Sequence, residues 1–338
     1  MAIRSTSGRS IPAAFWLALT LFASIALVAG ACGGGGGSDP TPTAEEEAPT
    51  DEPTSDATED TVQIDESFWH SGWMVTLGEA TVTTDDLGAR SVAIEATFEN
   101  LGTDTATFDS QLVLTSGGNS YTETGTEQEL PEVPGELSGS GVLAIRVDDE
   151  FTFDDATLTI GNPANNQAVV PLGPDGDDLV TLEPREIAVS GDVTAGAVRV
   201  TVERAELRAD LPDAHSIMEE GKLALTVYFS VTPSAGIQIG QGVFQDPNVA
   251  LKLPDGTAVA VRSDGVSGVN ELLQGKEGTT ISGLSVRFEV NEPAEGQYAF
   301  VVRGAYGPGG AQAEGELPFT IVAVAAGASP TAGPTPTP

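Results

Sequence analysis

The chain has 338 residues and a formal net charge of −36, from 50 acidic and 14 basic side chains. Such a surface repels phosphate backbones and anionic headgroups alike, which excludes nucleic-acid binding and leaves membrane contact to a dedicated anchor. Cys32 is the only cysteine, so no disulfide forms within the chain and stability must come from hydrophobic cores, which a chain of this length can bury in two domains of ordinary size.

The N-terminus carries Arg4 and Arg9, an apolar run from Ile11 to Val28, the small residues Ala29-Gly30-Ala31, and then Cys32. A basic segment, an apolar segment and small residues before a cut mark a secretory signal. The stretch resembles the bacterial lipobox, in which the cysteine thiol is diacylated and becomes the new N-terminus. Ala29 stands where leucine is usual there, and Gly30 where alanine or serine is. The resemblance implies a signal peptide over 1–31, a lipid anchor at Cys32, and residence on the extracytoplasmic face of the cell membrane. Two acyl chains hold a protein stably where one does not. The competing readings are an ordinary cleaved signal and an uncleaved span, which takes about 20 apolar residues.

Residues 32–64 read as a linker. Gly33 to Gly37 are followed by Pro, Thr and Ser with Glu45-Glu46-Glu47 and Asp51-Glu52. Too few apolar residues are present for a core, and like charges with prolines keep such a segment extended. Residues 326–338 are a Pro/Thr-rich tail of the same kind.

Between these lie two halves, 65–184 and 185–325, with a shared pattern. Val75-Thr76-Leu77, Ala80 and Val82 match Val200-Thr201-Val202, Ala205 and Leu207. Val92-Ala93-Ile94, Ala96 and Phe98 match Leu223-Ala224-Leu225, Val227 and Phe229. Ser140-Gly141-Val142 matches Ser282-Gly283-Leu284. Three matches in one order predict a duplicated module, against the alternative that alternating strands look alike by chance.

Both halves predict an all-β fold, two tandem immunoglobulin-like β-sandwiches. In the first half, strands are expected over Ser91–Phe98, Leu112–Leu114, Val142–Val147, Leu158–Ile160 and Val169–Leu172, from period-two alternation between turn residues. The second offers Val198–Leu207, Leu223–Val231, Val249–Leu253, Ala258–Arg262, Ile281–Val290, Tyr298–Val302 and Phe319–Val322. Only Asp213–Lys222 predicts a short helix.

Two further segments carry a family resemblance. One is the strand ending Phe98-Glu99-Asn100-Leu101-Gly102; the other is Val133-Pro134-Gly135-Glu136 followed by Ser140-Gly141-Val142-Leu143. Together they resemble the DUF4352-type immunoglobulin-like domain of bacterial lipoproteins over residues 70–173. The chain departs from it at Ile145-Arg146-Val147, which lacks the usual phenylalanine, and in the second half, where Ser230 to Pro233 replaces the Asn-Gly step. The resemblance implies an extracellular β-sandwich with no assigned chemistry.

Catalysis finds little support. His70 and His215 are the only histidines, no GxSxG elbow is present, and the glycine-rich pieces lack the Lys-Ser/Thr of a phosphate loop. The expectation is therefore a non-enzymatic protein. His215 and Glu219 would share a helical face, but two ligands fall short of the three or four a metal needs. Calcium is the cofactor that the acidic clusters would suit: Asp148, Asp149, Asp154 and Asp155 around Phe151-Thr152-Phe153, and Asp175, Asp177 and Asp178 near the join of the halves, where a bound ion would stiffen the junction. The competing reading is a solvated acidic surface.

Trp69 and Trp73, beside Phe68 and His70, either seal the end of a sandwich or stack on a ligand. The glycine-rich segment Pro233–Pro247, with Ile237, Ile239 and Phe244, reads as a partner-contact loop or as a β-extension packed on its own domain. The leading expectation is a monomeric, membrane-anchored binding or scaffolding module for an envelope or extracellular protein or glycan. The alternative is a calcium-dependent carbohydrate- or small-ligand-binding component. Fold class cannot decide between them, because sandwiches host many roles.

Overall fold

The computed structural model describes residues 60–123, 128–234, 237, 242–263 and 268–322; Cys32, the signal, most of the linker and the tail lie outside them. The regular structure there is all β, apart from three single turns of 3-10 helix. The first half supplies β1 (Thr61–Gln63), β2 (Ser67–His70), β3 (Trp73–Thr84), β4 (Arg90–Asn100), β5 (Ala106–Thr107), β6 (Leu112–Ser116), β7 (Asn119–Thr122), β8 (Glu132–Val133), β9 (Ser138–Val147), β10 (Thr157–Ile160) and β11 (Ala168–Pro171). The second supplies β12 (Arg185–Ile187), β13 (Gly191–Ala195), β14 (Val198–Arg208), β15 (Asp210–Leu211), β16 (Ser216–Ile217), β17 (Lys222–Pro233), β18 (Val243–Gln245), β19 (Val249–Lys252), β20 (Ala258–Ala260), β21 (Asn270–Leu272), β22 (Ile281–Asn291), β23 (Gly296–Gly304) and β24 (Ala313–Ile321).

Each half is a sandwich, and the two repeat one strand order. In the first, the sheet β1-β3-β4-β9, with β2 also on β3, faces the sheet β11-β10-β6-β7. In the second, β12-β14-β17-β22, with β13 also on β14, faces β24-β23-β19-β20. A small ribbon accompanies each, β5 with β8 and β18 with β21. β15 and β16 have no counterpart in the first half. β1 occupies residues expected to be linker: Thr61-Val62-Gln63 pairs with Glu79–Thr81, and Val62 packs on the core. Three residues are too short a run for alternation to be legible.

The shared sequence pattern has a physical cause. Val75 and Leu77, then Ala80 and Val82, are all buried, although the step from 77 to 80 breaks strict alternation. Leu77 lies opposite Ala96 and Ala80 opposite Ile94, so β3 carries one extra residue. Such a bulge restores the core face after the odd step. β14 does the same: Val202 lies opposite Phe229, Ala205 opposite Val227, and the register shifts at Glu203. The next matched strand is slipped. Ala80 faces Ile94, but Ala205 faces Val227 rather than Leu225, two residues from the expected match. A slip of two keeps every side chain on its face, which is why the sequence pattern tolerates it.

The two segments behind the family resemblance pack on each other. Asn100 is fully buried; its amide donates to the carbonyls of Asp104 and Val133 and its oxygen accepts from the Gly102 N–H. Glu136 N–H then donates to the carbonyls of Asn100 and Gly102. A Cβ on Gly135 would stand 2.2 Å from the Thr103 oxygen, so the backbone there admits only glycine.

Separate cores fill the sandwiches. Phe68, Trp73, Ile94, Phe98 and Leu143 anchor the first, and Phe229, Phe244, Phe288 and Phe300 the second. Two expectations are corrected here. Asp213–Lys222 is not a helix: a single 3-10 turn at Pro212–Ala214 ends at His215, whose left-handed backbone (φ 42°, ψ 49°) stops helix growth, and β16 follows. Phe244 is no contact residue, since it is fully buried on β18, with its ring 6.1 Å from Phe229 and 6.4 Å from Tyr306. Ile237 is partly buried against the same core, and Ile239 lies outside the described residues. The described part of Pro233–Pro247 thus follows the β-extension reading.

Truncating a core phenylalanine removes buried area and leaves a cavity, typically at a cost of 3–5 kcal/mol. Phe229→Ala is expected to destabilise the second sandwich by about that amount in urea unfolding, whereas Leu87→Ala, at a side chain 93% exposed, should change stability little.

Candidate functional site: the junction clasp

The two halves differ most between the paired long strands. In the first, β3 and β4 are joined by a short turn over 85–89; in the second, residues 209–221 intervene between β14 and β17 and carry the ribbon of β15 and β16. Leu211, Met218 and Ala224 form a small core beneath this insertion. The insertion reaches across to the first sandwich and clasps it at two places.

The first place is the turn between β2 and β3. Ser71 and Gly72 have φ of 54° and 82°, the left-handed pair that a two-residue hairpin requires. Gly72 N–H donates to Asp210 Oδ2 at 2.7 Å, and Ser71 Oγ donates to the His215 carbonyl at 2.7 Å. The His215 ring lies 5.5 Å from that of Trp73. Two glycines of the first sandwich permit this approach. A Cβ on Gly72 would stand 2.8 Å from the Pro212 oxygen, and one on Gly102 would stand 2.8 Å from that oxygen and 2.9 Å from His215 Nε2. The second place is the connection between β10 and β11. Asn166 N–H donates to the Met218 carbonyl, its side-chain amide donates to the Lys222 carbonyl at 2.8 Å, and Glu220 N–H donates to the Ala164 carbonyl.

Charge is buried at the centre of the clasp. Arg208 Nε donates to Asp210 Oδ1 at 2.8 Å and its Nη1 to Glu206 Oε1 at 3.0 Å, with the Asp210 side chain only 2% exposed. Burial works to lower the Arg208 pKa, and the Asp210 and Glu206 carboxylates outweigh it, so the net shift is upward. His70 is buried beside this pair. Desolvation pushes its pKa down to about 4 against the opposing pull of Asp210. Its Nδ1 shares a hydrogen bond with Ser110 Oγ at 3.0 Å.

Beside the clasp a cleft of about 500 Å³ runs between the halves. Leu182, Leu207, Leu223 and Ala294 line it, with Glu183, Arg185, Glu292 and Glu295 also in its wall. Its size and its place between two folded bodies suit a small ligand or one side chain of a partner.

The sequence-predicted site residues fall elsewhere. Trp73 is 1% exposed, edge-on to Phe98 and Phe108, and so seals the first sandwich rather than offering a stacking platform. Trp69 is partly buried, and its backbone N–H donates to the Thr181 carbonyl. Among the described residues, no three His, Cys, Asp or Glu side chains converge to hold a metal ion. Asp148 instead accepts from Tyr121 Oη and Glu150 N–H. Asp155 accepts from Ser116 Oγ and Gly117 N–H, and the Gly117 and Ser116 bonds hold its carboxyl below the usual range. Asp175 N–H donates to the Asp154 carbonyl, and Asp177 N–H to Thr157 Oγ1. These loops meet at the Thr157 end of β10. The clasp lies past its Ile160 end, so the Asp175–Asp178 cluster does not bridge the junction. Asp149 and Asp178 are exposed. Arg208, Asp210, Ser71, Gly72 and Asn166 were not singled out by sequence; the signal for them was the longer second connection containing His215.

Removing one partner of a buried ion pair strands the other charge, at a cost of roughly 3–5 kcal/mol. Asp210→Ala should therefore destabilise the junction by about that amount, read as a single thermal unfolding transition splitting into two. No protein-family model matches the chain, and neither does any curated protein.

Proposed function

We propose that the chain is a lipid-anchored protein of the extracytoplasmic face whose paired sandwiches act as a stiff, non-catalytic binding and scaffolding module. The clasp is the observation that carries this reading. A tether of two independent beads would need no insertion, no buried Arg208–Asp210 pair and no glycines cut to fit Pro212 and His215. Buried polar networks of this kind fix a single arrangement rather than add raw stability. A stiff pair of sandwiches presents its loops at a fixed spacing, which is what a scaffold or an adhesion module requires. The cleft of about 500 Å³ between the halves gives that body a place for a small ligand or a partner side chain.

The anchor rests on the tripartite N-terminal pattern ending at Cys32. The chain's charge of −36 supports a surface held off the membrane by its linker, since anionic headgroups and the acidic sandwiches repel each other. Among the described residues, no helix is long and apolar enough to cross a membrane.

Cys32→Ser should move the protein from the membrane fraction to the soluble fraction and abolish incorporation of labelled fatty acid. An unsubstituted chain that sits in the membrane fraction without taking up the label would instead identify the apolar segment as a span.

A further inference from the structure

The cleft between the halves is apolar inside and acidic at its border. Leu182 packs on the first core and Leu223 on the second, and both are only partly buried, so each half leaves an apolar side chain to the cleft. Leu207 and Ala294, each 2% exposed, belong to the same lining. Around them the wall carries three carboxylates, Glu183, Glu292 and Glu295, against one guanidinium, Arg185. Glu183 comes from the connection between the halves, and Glu292 and Glu295 from the turn between β22 and β23. Negative charge therefore borders the apolar lining from two separate segments.

All three glutamates are exposed, and among the described residues none has an ion pair or a side-chain hydrogen bond. Elsewhere the chain matches its cations. Lys222, Lys252 and Lys276, its three lysines, pair with Glu289, Glu316 and Glu271. Arg208 is held by Asp210 and Glu206, and Arg262 by Glu289. The cleft carboxylates are left without a counter-charge from the protein itself.

We propose that the cleft is a binding site for a small amphiphilic amine, an apolar body that carries one ammonium group. The inference rests on the stiff-module reading above, because only a fixed pair of sandwiches keeps the cleft at one width. The apolar body lies on Leu182, Leu207, Leu223 and Ala294, and the ammonium group stands toward the glutamates.

Size and charge both select this class. The cleft, about 500 Å³, falls within the range of roughly 300–1,000 Å³ usual for small-ligand sites. Apolar contact supplies affinity without direction, and charge decides which sign of ligand is accepted. An anionic ligand would meet three carboxylates and one guanidinium in the wall, on a chain of net charge −36, and would be repelled. A bare metal ion gains little, since among the described residues no three acidic or histidine side chains converge on one point. The glutamates are exposed, so each adds a modest attraction that salt screens.

Three probes of one shape test the sign of the charge: 2-phenylethylammonium, 2-phenylethanol and 3-phenylpropanoate. Each is titrated into the full chain in non-ionic detergent at low salt, while the methyl resonances of Leu182, Leu207, Leu223 and Ala294 are followed. The ammonium should shift these resonances saturably and bind about tenfold more tightly than the alcohol, with the carboxylate weaker still. High salt should close most of that gap. A variant combining Glu183→Gln, Glu292→Gln and Glu295→Gln, which keeps the shape of all three side chains, should bring the ammonium to within about threefold of the alcohol. Equal binding of ammonium and alcohol by the parent would overturn the proposal, as would tighter binding of the carboxylate. So would an ammonium preference that survives in the triple variant, or shifts spread over the whole acidic surface without saturation, which is diffuse counter-ion attraction. An interdomain distance measured on the same chain separates this proposal from the reading beneath it. Absence of cleft shifts with one narrow separation overturns the amine site and leaves the stiff module standing; absence with a broad range of separations removes both.

Discussion

The buried contact of Asp210 with Arg208 and with the Gly72 N–H is the interaction on which the arrangement of the two sandwiches turns. One carboxylate accepts from the Arg208 Nε of its own half and from a backbone donor of the other. Desolvating such charges is expensive, and the attraction offsets the cost only where geometry and remaining hydrogen bonds are good. The contact therefore tolerates few alternatives. It holds the insertion at one position on the first sandwich, and the Ser71, Asn166 and His215 contacts follow from that position. An apolar interface of the same size would be more permissive, because hydrophobic burial has no direction.

The molecule can be understood as one sandwich plan used twice, with one added ribbon among the described residues. Strand order, the division of the first edge into two short strands, the bulge in the following long strand and the accessory ribbon recur in both halves. The addition is the stretch from Asp210 to Ile217. It grows from the second copy and seats on the end of the first, so the segment that distinguishes the copies is also the one that joins them. Trp73 shows the consequence for packing. It closes its own core against Phe98 and Phe108, and its remaining edge is covered by His215 of the other half.

Much of this was legible in the sequence and some was not, for identifiable reasons. Every expected strand lies within or against an observed one, because period-two burial forces alternation. The matched patterns around Val75 and Val200 marked even the bulge, through the odd step to Ala80 and Ala205. The slip of β17 against β4 was invisible, since a shift of two changes no face. β24 begins at Ala313, earlier than alternation indicated, because Gly315 and Pro318 interrupt the apolar signal; proline is admissible there because β24 is an edge strand. The clasp was hidden because its chemistry is long-range: Gly72 and Asp210 are unremarkable residues until the fold places them 2.7 Å apart. The acidic clusters are adjacent in sequence, but among the described residues no three of their side chains converge. Asp148 and Asp155 look like ligands in a row, yet each is spent on turn hydrogen bonds.

The central claim is that the sandwiches form one stiff body, and an interdomain distance measures it directly. Spin labels at Leu87→Cys on the first sandwich and Leu272→Cys on the second, in a Cys32→Ser background, would occupy exposed positions free of other thiols. Pulsed electron paramagnetic resonance at neutral pH should give one narrow distance distribution. A broad distribution spanning many separations would mean that the clasp does not hold, and that the two sandwiches move as independent beads.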